Sequence, residues 1–383
     1  MQSIAQLDVK VSPAPVERYT EAETAENMKA LRALGYVGGS DSTGSGATDG
    51  GSDAVSSSPE MHNNMGRIHL RNGETEKARR EFQQALELDP SNAEALLNLA
   101  SIQRVEGRIA DAEHLVRRAL QVDPNSIGAL SQLGEIRRDQ GNIGEAVRLF
   151  EEALAIDDSL PFLFMGYGDV LQRAERFQEA ERAFISVLEL EPDSFKARYN
   201  LGVTYANQGR IDEAVSIYQE ALEVEPRNPE ATMAHNNLGA IHLARGEMAQ
   251  AQERFESAVE LGPRHVESHY NLALIYSTGG RMEEAVELLE HAARLSPDHE
   301  IINTSLGMAY LRVGRGEDAF RSFLLIQRLY PENWQASLGL AVLQAARGQA
   351  DQARSSLAKS LRFGGQAARA EAETYPVLSP LLD

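Results

Sequence analysis

The chain of 383 residues has no cysteine. That excludes disulfide cross-links, thiolate nucleophiles and thiolate metal ligands together. It also lacks any apolar run near the roughly 18 residues needed to cross a bilayer, so no membrane insertion is expected. Residues 1–10 hold no basic stretch leading into a long apolar core, so no secretory signal is read there and a cytoplasmic location is expected, or a periplasmic one if the chain is cut from a longer exported parent. Base is scarce: 37 Lys and Arg stand against 57 Asp and Glu, a formal charge of −20. Such a surface repels phosphate backbones and anionic lipid, so nucleic acid is not an expected partner. The excess acid serves either as a solvated outer face or as a preference for basic partners.

Catalytic signatures are missing too. Glycines come singly, apart from residues 38–58, Gly279-Gly280 and Gly364-Gly365, and no Gly-Lys-Ser/Thr follows them, so no phosphate loop and no cofactor are expected. The spacing of His265 and His269 suits two helical metal ligands, but the Glu lies midway, at Glu267, and His265 falls in a turn. His62 with His69, and His235 with His242, are read as packing residues and not as ligands. The chain therefore reads as a binding protein and not as an enzyme.

What the sequence does contain is a period. Pro90, Pro124, Asp158, Pro192, Pro226, Pro263, Pro297, Pro331 and Gly365 follow one another at 34 residues, except for a single step of 37. A small residue keeps the same beat at Gly66, Ala100, Gly134, Gly168, Gly202, Gly239, Ala273, Gly307 and Ala341. In residues 195–228, Leu201, Gly202 and Tyr205 lie on one apolar stripe and Ala214, Tyr218 and Ala221 on a second, with Gly209 between and Pro226 after. The spacing predicts two short helices and a turn, neither able to bury its stripe alone. Leu-Gly-x-x-Tyr, then Ala, an aromatic and Pro, resembles the tetratricopeptide repeat, and Leu306, Gly307, Tyr310, Ala319, Phe323 and Pro331 repeat the pattern. The resemblance implies an all-α, right-handed superhelical α-solenoid of about nine helix-turn-helix units, at 59–92, 93–126, 127–160, 161–194, 195–228, 232–265, 266–299, 300–333 and 334–367, followed by a tail or cap at 368–383. The three extra residues near Pro229-Glu230-Ala231 predict a local bend or hinge.

The resemblance further implies a scaffold that binds a protein or peptide segment, extended or helical, along its first helices, through positions 2, 5, 6, 9 and 12 of each unit. Position 6 supplies Asn64, Asn98, Asn200, Asn237 and Asn271. These either grip a peptide backbone, since an amide both donates and accepts, or bond their own helix neighbours. The other positions are charged early, at Glu60, Arg67, Glu94, Arg104, Glu135 and Arg138. They turn apolar later, at Phe162, Met165, Tyr199, Val203, Met233, Leu243, Tyr270, Leu274, Ile301, Met308, Leu311, Leu338 and Val342. The apolar stretch is either a partner site or a surface covered by the chain itself, and Pro376 to Leu382 is apolar enough to cover it. Position 5 offers no lysine, so the family's carboxylate clamp for chaperone tails is not expected.

Residues 1–37 form a separate segment, joined by a flexible linker at 38–58 that holds 6 Gly and 7 Ser and has a reach of about 25 Å. Thr20-Glu21-Ala22-Glu23 reads as a capping box opening a helix over about 20–35, with Met28, Leu31 and Leu34 as its stripe. Leu31 to Gly38 resembles the closing tail of bacterial sulfatase and phosphodiesterase-like hydrolases, some of which carry such arrays. The alternative is an ordinary amphipathic capping helix. The catalytic Cys/Ser-x-Pro-x-Arg of those enzymes is absent, since Ser57-Ser58-Pro59-Glu60-Met61 puts Met in place of Arg. Three functions stay open: a peptide-binding scaffold, an accessory module or remnant of such a hydrolase, and a self-associating protein.

Overall fold

The computed structural model describes residues 58–228 and 230–382. The expected helix over 20–35, the hydrolase-like string Leu31 to Gly38, the linker up to residue 57 and Pro229 lie outside them. The described residues form two compact bodies that divide between Gln208 and Gly209, and neither contains a strand among those residues. The first holds α1 (Pro59–Arg71), α2 (Thr75–Leu88), α3 (Ala93–Val105), α4 (Ile109–Val122), α5 (Ile127–Asp139), α6 (Ile143–Ile156), α7 (Pro161–Arg173), α8 (Phe177–Leu190) and α9 (Phe195–Asn207). The second holds α10 (Ile211–Val224), α11 (Ala231–Ala244), α12 (Met248–Leu261), α13 (Val266–Thr278), α14 (Met282–Leu295), α15 (Glu300–Arg312), α16 (Gly316–Leu329), α17 (Trp334–Ala346), α18 (Ala350–Ala372) and a 3₁₀ helix (Pro376–Leu381). Within each body successive helices pack as antiparallel pairs, each pair on the next, which is an α-solenoid of helix-turn-helix units.

Local chemistry sets the helix ends. Ser58, the last residue of the expected linker, instead caps α1, its side chain accepting from the Met61 amide at 3.2 Å. Asn92, Ser126, Ser194 and Asn333 cap α3, α5, α9 and α17 in the same way. Between the helices of a pair the chain needs one left-handed residue, and glycine supplies it at eight turns from Gly73 to Gly348, with φ between 73° and 79°. In the fourth repeat Glu175 stands there, at φ 57°.

The glycine beat within the first helices has a steric cause. A Cβ placed on Gly66, Gly168, Gly239 or Gly307 would lie 2.5–2.6 Å from the ring of Phe82, Phe184, Phe255 or Phe323 in the second helix of the same pair, and one on Gly134 would lie 2.9 Å from Phe150. Where the second helix carries Val116, Leu289 or Leu357, the partner in the first is Ala100, Ala273 or Ala341. Ring with glycine and aliphatic with alanine keep the volume of the junction nearly constant.

Successive pairs are clasped by polar contacts as well. The Tyr167 hydroxyl donates to Glu151, that of Tyr276 to Glu256 and that of Tyr310 to Glu290, at 2.9–3.0 Å, and the guanidinium of Arg281 or Arg315 lies over the latter two rings. Burial and the Glu290 carboxylate push Tyr310 up to about 12. In the first body the buried Arg137 holds both oxygens of Glu113 at 2.8 Å, and its guanidinium keeps that carboxyl far below the usual range.

The insertion near residue 230 lengthens the connection from α10 to α11 to six residues, 225–230, against four between α12 and α13, and adds one residue to α11. The two helices stay packed, Asn237 donating to the Tyr218 hydroxyl at 3.3 Å and Arg245 pairing with Asp212 at 2.5 Å. The boundary between the two bodies falls at residues 208–209, in the turn of the fifth repeat.

Two stability outcomes follow from this geometry. Glu175→Gly removes a side chain from left-handed backbone and should stabilise the protein by about 1 kcal/mol in chemical denaturation; a loss of stability would contradict the strain. Gly307→Ala should lower stability by about 1–3 kcal/mol through overpacking. Adding Phe323→Leu should then cost less than it does alone, and additive costs would count against the pairing.

Candidate functional site

Beyond Glu60, the charged positions of the early first helices are spent on ion pairs within the same face. Arg67 of α1 pairs with Glu94 of α3 at 3.1 Å, and Arg104 of α3 with Glu135 and Asp139 of α5 at 2.7 and 3.1 Å. Arg138 is held by Asp139 at 3.0 Å. This face of the first body is a ladder of satisfied ion pairs, each worth little on its own at the surface.

Position 6 faces the neighbouring repeat. In the fourth and ninth repeats it is Gly166 and Gly339, whose Cβ would lie 2.6 and 2.2 Å from the rings of Phe150 and Phe323 in the preceding repeat. Asparagine at this position reaches the same junction. Asn200 is buried and donates to Asp169 at 3.0 Å, Asn271 is buried and donates to Asn236 at 3.0 Å, and Asn237 bonds Tyr218. For these three the bonding is to helix neighbours. Asn64 and Asn98 are partly exposed, and the buried amide nitrogen of Asn98 has no partner. Asp169 is enclosed enough that burial pushes its carboxyl up, against the pull of Lys196, Arg138 and Arg173.

Of the expected apolar contacts, Tyr199 and Val203 are buried, Tyr199 being only 2% exposed, so neither presents a surface to a ligand. Phe162 is 52% exposed on α7, with Met165 half-buried beside it. Met233 and Leu243 of α11 are also half-buried, and Leu311 and Met308 pack against the core of α13 to α17. Leu338 and Val342 of α17 are covered by the chain's own end. The 3₁₀ helix, with Leu378 fully buried, packs on them together with Trp334 and Leu381.

The open part of this face lies one and two repeats earlier, in the second body. Tyr270 and Leu274 of α13 and Ile301 and Met308 of α15 line a cavity of about 440 Å³. Leu274 and Ile301 are 44% and 52% exposed. Arg312 and Glu300 of α15 lie at its edge, and Glu371 of α18 forms a wall that sequence reasoning missed. Glu371 arrives there because α18 kinks at Gly365, whose φ of 54° and ψ of −130° suit glycine alone. No local motif announces such a wall; only the glycine pair at 364–365 marks the change of direction. Burial pushes the Glu371 carboxyl up, and Arg312 draws it part of the way back.

The histidines do structural work. His62, His69 and His242 bond Glu81, Glu74 and Glu247 at 2.5–2.7 Å, and His265 caps α13 by accepting from the Ser268 amide. His269 and His291, their rings 4.3 Å apart, both donate to the Pro263 carbonyl. Among the described residues no group of three or more His, Asp or Glu could hold a metal ion, and no helix is long and apolar enough to cross a membrane.

Two family models, each described as tetratricopeptide repeat, match the chain, one at residues 162–226, 193–264 and 230–298, the other at 63–127, 105–161 and 304–370. No curated protein matches it. Among solved structures, a chain of the APC/C hetero-tetramer Cut9–Hcn1 superposes with a TM-score of 0.53 at 16% identity, over 74% of this chain and 58% of that one. This chain thus spans less than two thirds of that neighbour's length. A tetratricopeptide repeat protein from Parabacteroides merdae ATCC 43184 gives a TM-score of 0.52 at 18% identity, over 66% of this chain and 98% of that one. At these identities the likeness is one of fold. The hydrolase-like string Leu31 to Gly38 lies outside all the matched residues.

One titration outcome follows. His235 on α11 is pushed from its ordinary 6.5 to about 4, first by burial and then by Arg254. The unfolded chain takes up this proton near 6.5 and the folded chain only near 4, so stability is complete above that window and falls as pH drops through it. His235→Leu should show a shallower loss of melting temperature over the same range; an equal slope would mean His235 does not carry it.

Proposed function

Because the chain belongs to the tetratricopeptide repeat family, we propose that it is a non-catalytic protein-interaction scaffold that takes an apolar segment of a partner on its first-helix face. The observation that carries the reading is the cavity between α13 and α15: exposed apolar side chains converge there, whereas the equivalent face of α17 is closed. Tetratricopeptide repeats generally mediate protein–protein contacts, and a repeat-only architecture is typical of scaffolds without catalysis. Exposed apolar surface lined by polar groups is the usual mark of a partner site. Tyr270, Leu274 and Met308 supply the anchors, Met308 adapting its shape to what enters. The partly exposed Asn64 and Asn98 are further contact candidates on the first body, as are Phe162 and Met165. The bonded Asn200, Asn237 and Asn271 hold the repeats in register.

Replacing Tyr270, Leu274 and Met308 together by Ser should leave helicity nearly unchanged and abolish partner capture. Immobilised wild type and triple variant are compared, and the proteins retained are identified by mass spectrometry. Partners kept by the first and lost by the second support the site; identical sets would move the partner surface elsewhere on the chain.

A further inference from the structure

The face that holds the cavity is already used once by the chain itself. At α17, positions 5 and 9 of the repeat, Leu338 and Val342, are covered by Tyr375, Leu378, Leu381 and Leu382. One and two repeats earlier the same positions, Thr304 and Met308 on α15 and Tyr270 and Leu274 on α13, line the open cavity. The covered part shows what this face accepts, a short leucine-rich segment with an aromatic residue beside it. The chain holds a second segment of that composition. Met28, Leu31 and Leu34 fall three residues apart on one stripe, followed by Tyr36 and Val37.

Charge points the same way. The stripe-bearing half of the expected helix, residues 27–37, carries Lys29 and Arg32 and no acid, the acids Glu21, Glu23 and Glu26 standing before it, in a chain of net charge −20. The cavity rim carries Glu300 and Glu371 against Arg312, one net negative charge. Arg32 flanks the apolar stripe next to Met28 and would meet those carboxylates when the stripe enters.

Resting on the reading of this face as the partner site, we propose that its occupant is the segment around Met28 to Tyr36 of a second copy of the chain. The exchange is reciprocal, so each copy offers one segment and one cavity, which is the self-complementary arrangement of a two-fold dimer. The Gly/Ser-rich composition of residues 38–57 is the one expected of a tether between the segment and the repeats.

The test uses the full chain and two double variants, with mass measured by light scattering after size exclusion over a wide concentration range. Wild type is expected to reach twice the monomer mass. Leu31→Glu with Leu34→Glu spoils the segment and leaves the cavity, and Leu274→Glu with Met308→Glu does the reverse. Each alone should weaken the dimer by at least about tenfold in dissociation constant. Their equimolar mixture restores one intact segment-and-cavity contact, so it should form a heterodimer that neither forms alone. Unchanged circular dichroism in both variants shows that folding is not the cause. Wild type that stays monomeric throughout overturns the proposal, as does a dimer indifferent to the segment variant or a mixture that behaves as the sum of its parts. A monomer in which a photo-crosslinker at Leu34 labels its own cavity would also overturn it, assigning the segment to its own molecule. None of these results touches the wider reading of the face, which is decided by partner capture with the Tyr270, Leu274 and Met308 variant.

Discussion

The contact between a glycine in one helix and an aromatic ring in the next is the constraint on which this protein depends. Glycine inside a helix costs about 0.5–1 kcal/mol against alanine, and the chain accepts that cost at Gly66, Gly134, Gly168, Gly239 and Gly307 because each Phe ring fills the space a methyl group would need. The close approach sets how each pair sits and therefore which side chains its first helix leaves for the outer face. Alanine appears at this position only where the opposing residue is aliphatic, as with Ala273 and Leu289. The junction is thus specified by a pair of positions and not by either one.

Along the first helices the two bodies solve different problems with the same positions. In the early repeats of the first, charged residues of successive helices neutralise one another, Arg104 reaching both Glu135 and Asp139, so that part of the face is polar. In the second, the side chains are apolar and leave a cavity. Polar side chains that bond laterally rigidify the stack without attracting a partner, whereas apolar ones left without a neighbour are a standing cost that a partner can remove.

The repeat architecture was legible because a 34-residue period carries its own redundancy, and helix ends at Gly73 or Pro90 are written in residues with one backbone preference. The groove was legible only in part. Tyr270, Leu274 and Met308 line the cavity, whereas Tyr199 and Val203, at the same repeat positions as Tyr270 and Leu274, are buried, since burial depends on neighbours that periodicity does not encode. The asparagines were ambiguous for a related reason: an amide can bond a ligand or a neighbour, and only geometry shows Asn200 turned to Asp169. Glu371 was invisible because it reaches the cavity through a kink at Gly365, a long-range consequence of one backbone conformation.

The rings also bear on how such a chain can change its number of repeats. Phe150 touches glycine on both sides, Gly134 within its own pair and Gly166 in the following repeat, and Phe323 does the same with Gly307 and Gly339. The rings of Phe82, Phe184 and Phe255 are followed at the second of these places by Asn98, Asn200 and Asn271 instead. Each of these rings in a second helix thus meets either glycine or asparagine in the next repeat. A duplication or deletion that sets one of these rings before another's successor brings together residue types that already meet elsewhere in the array, so at such junctions the chain can lengthen or shorten by recombination one unit at a time.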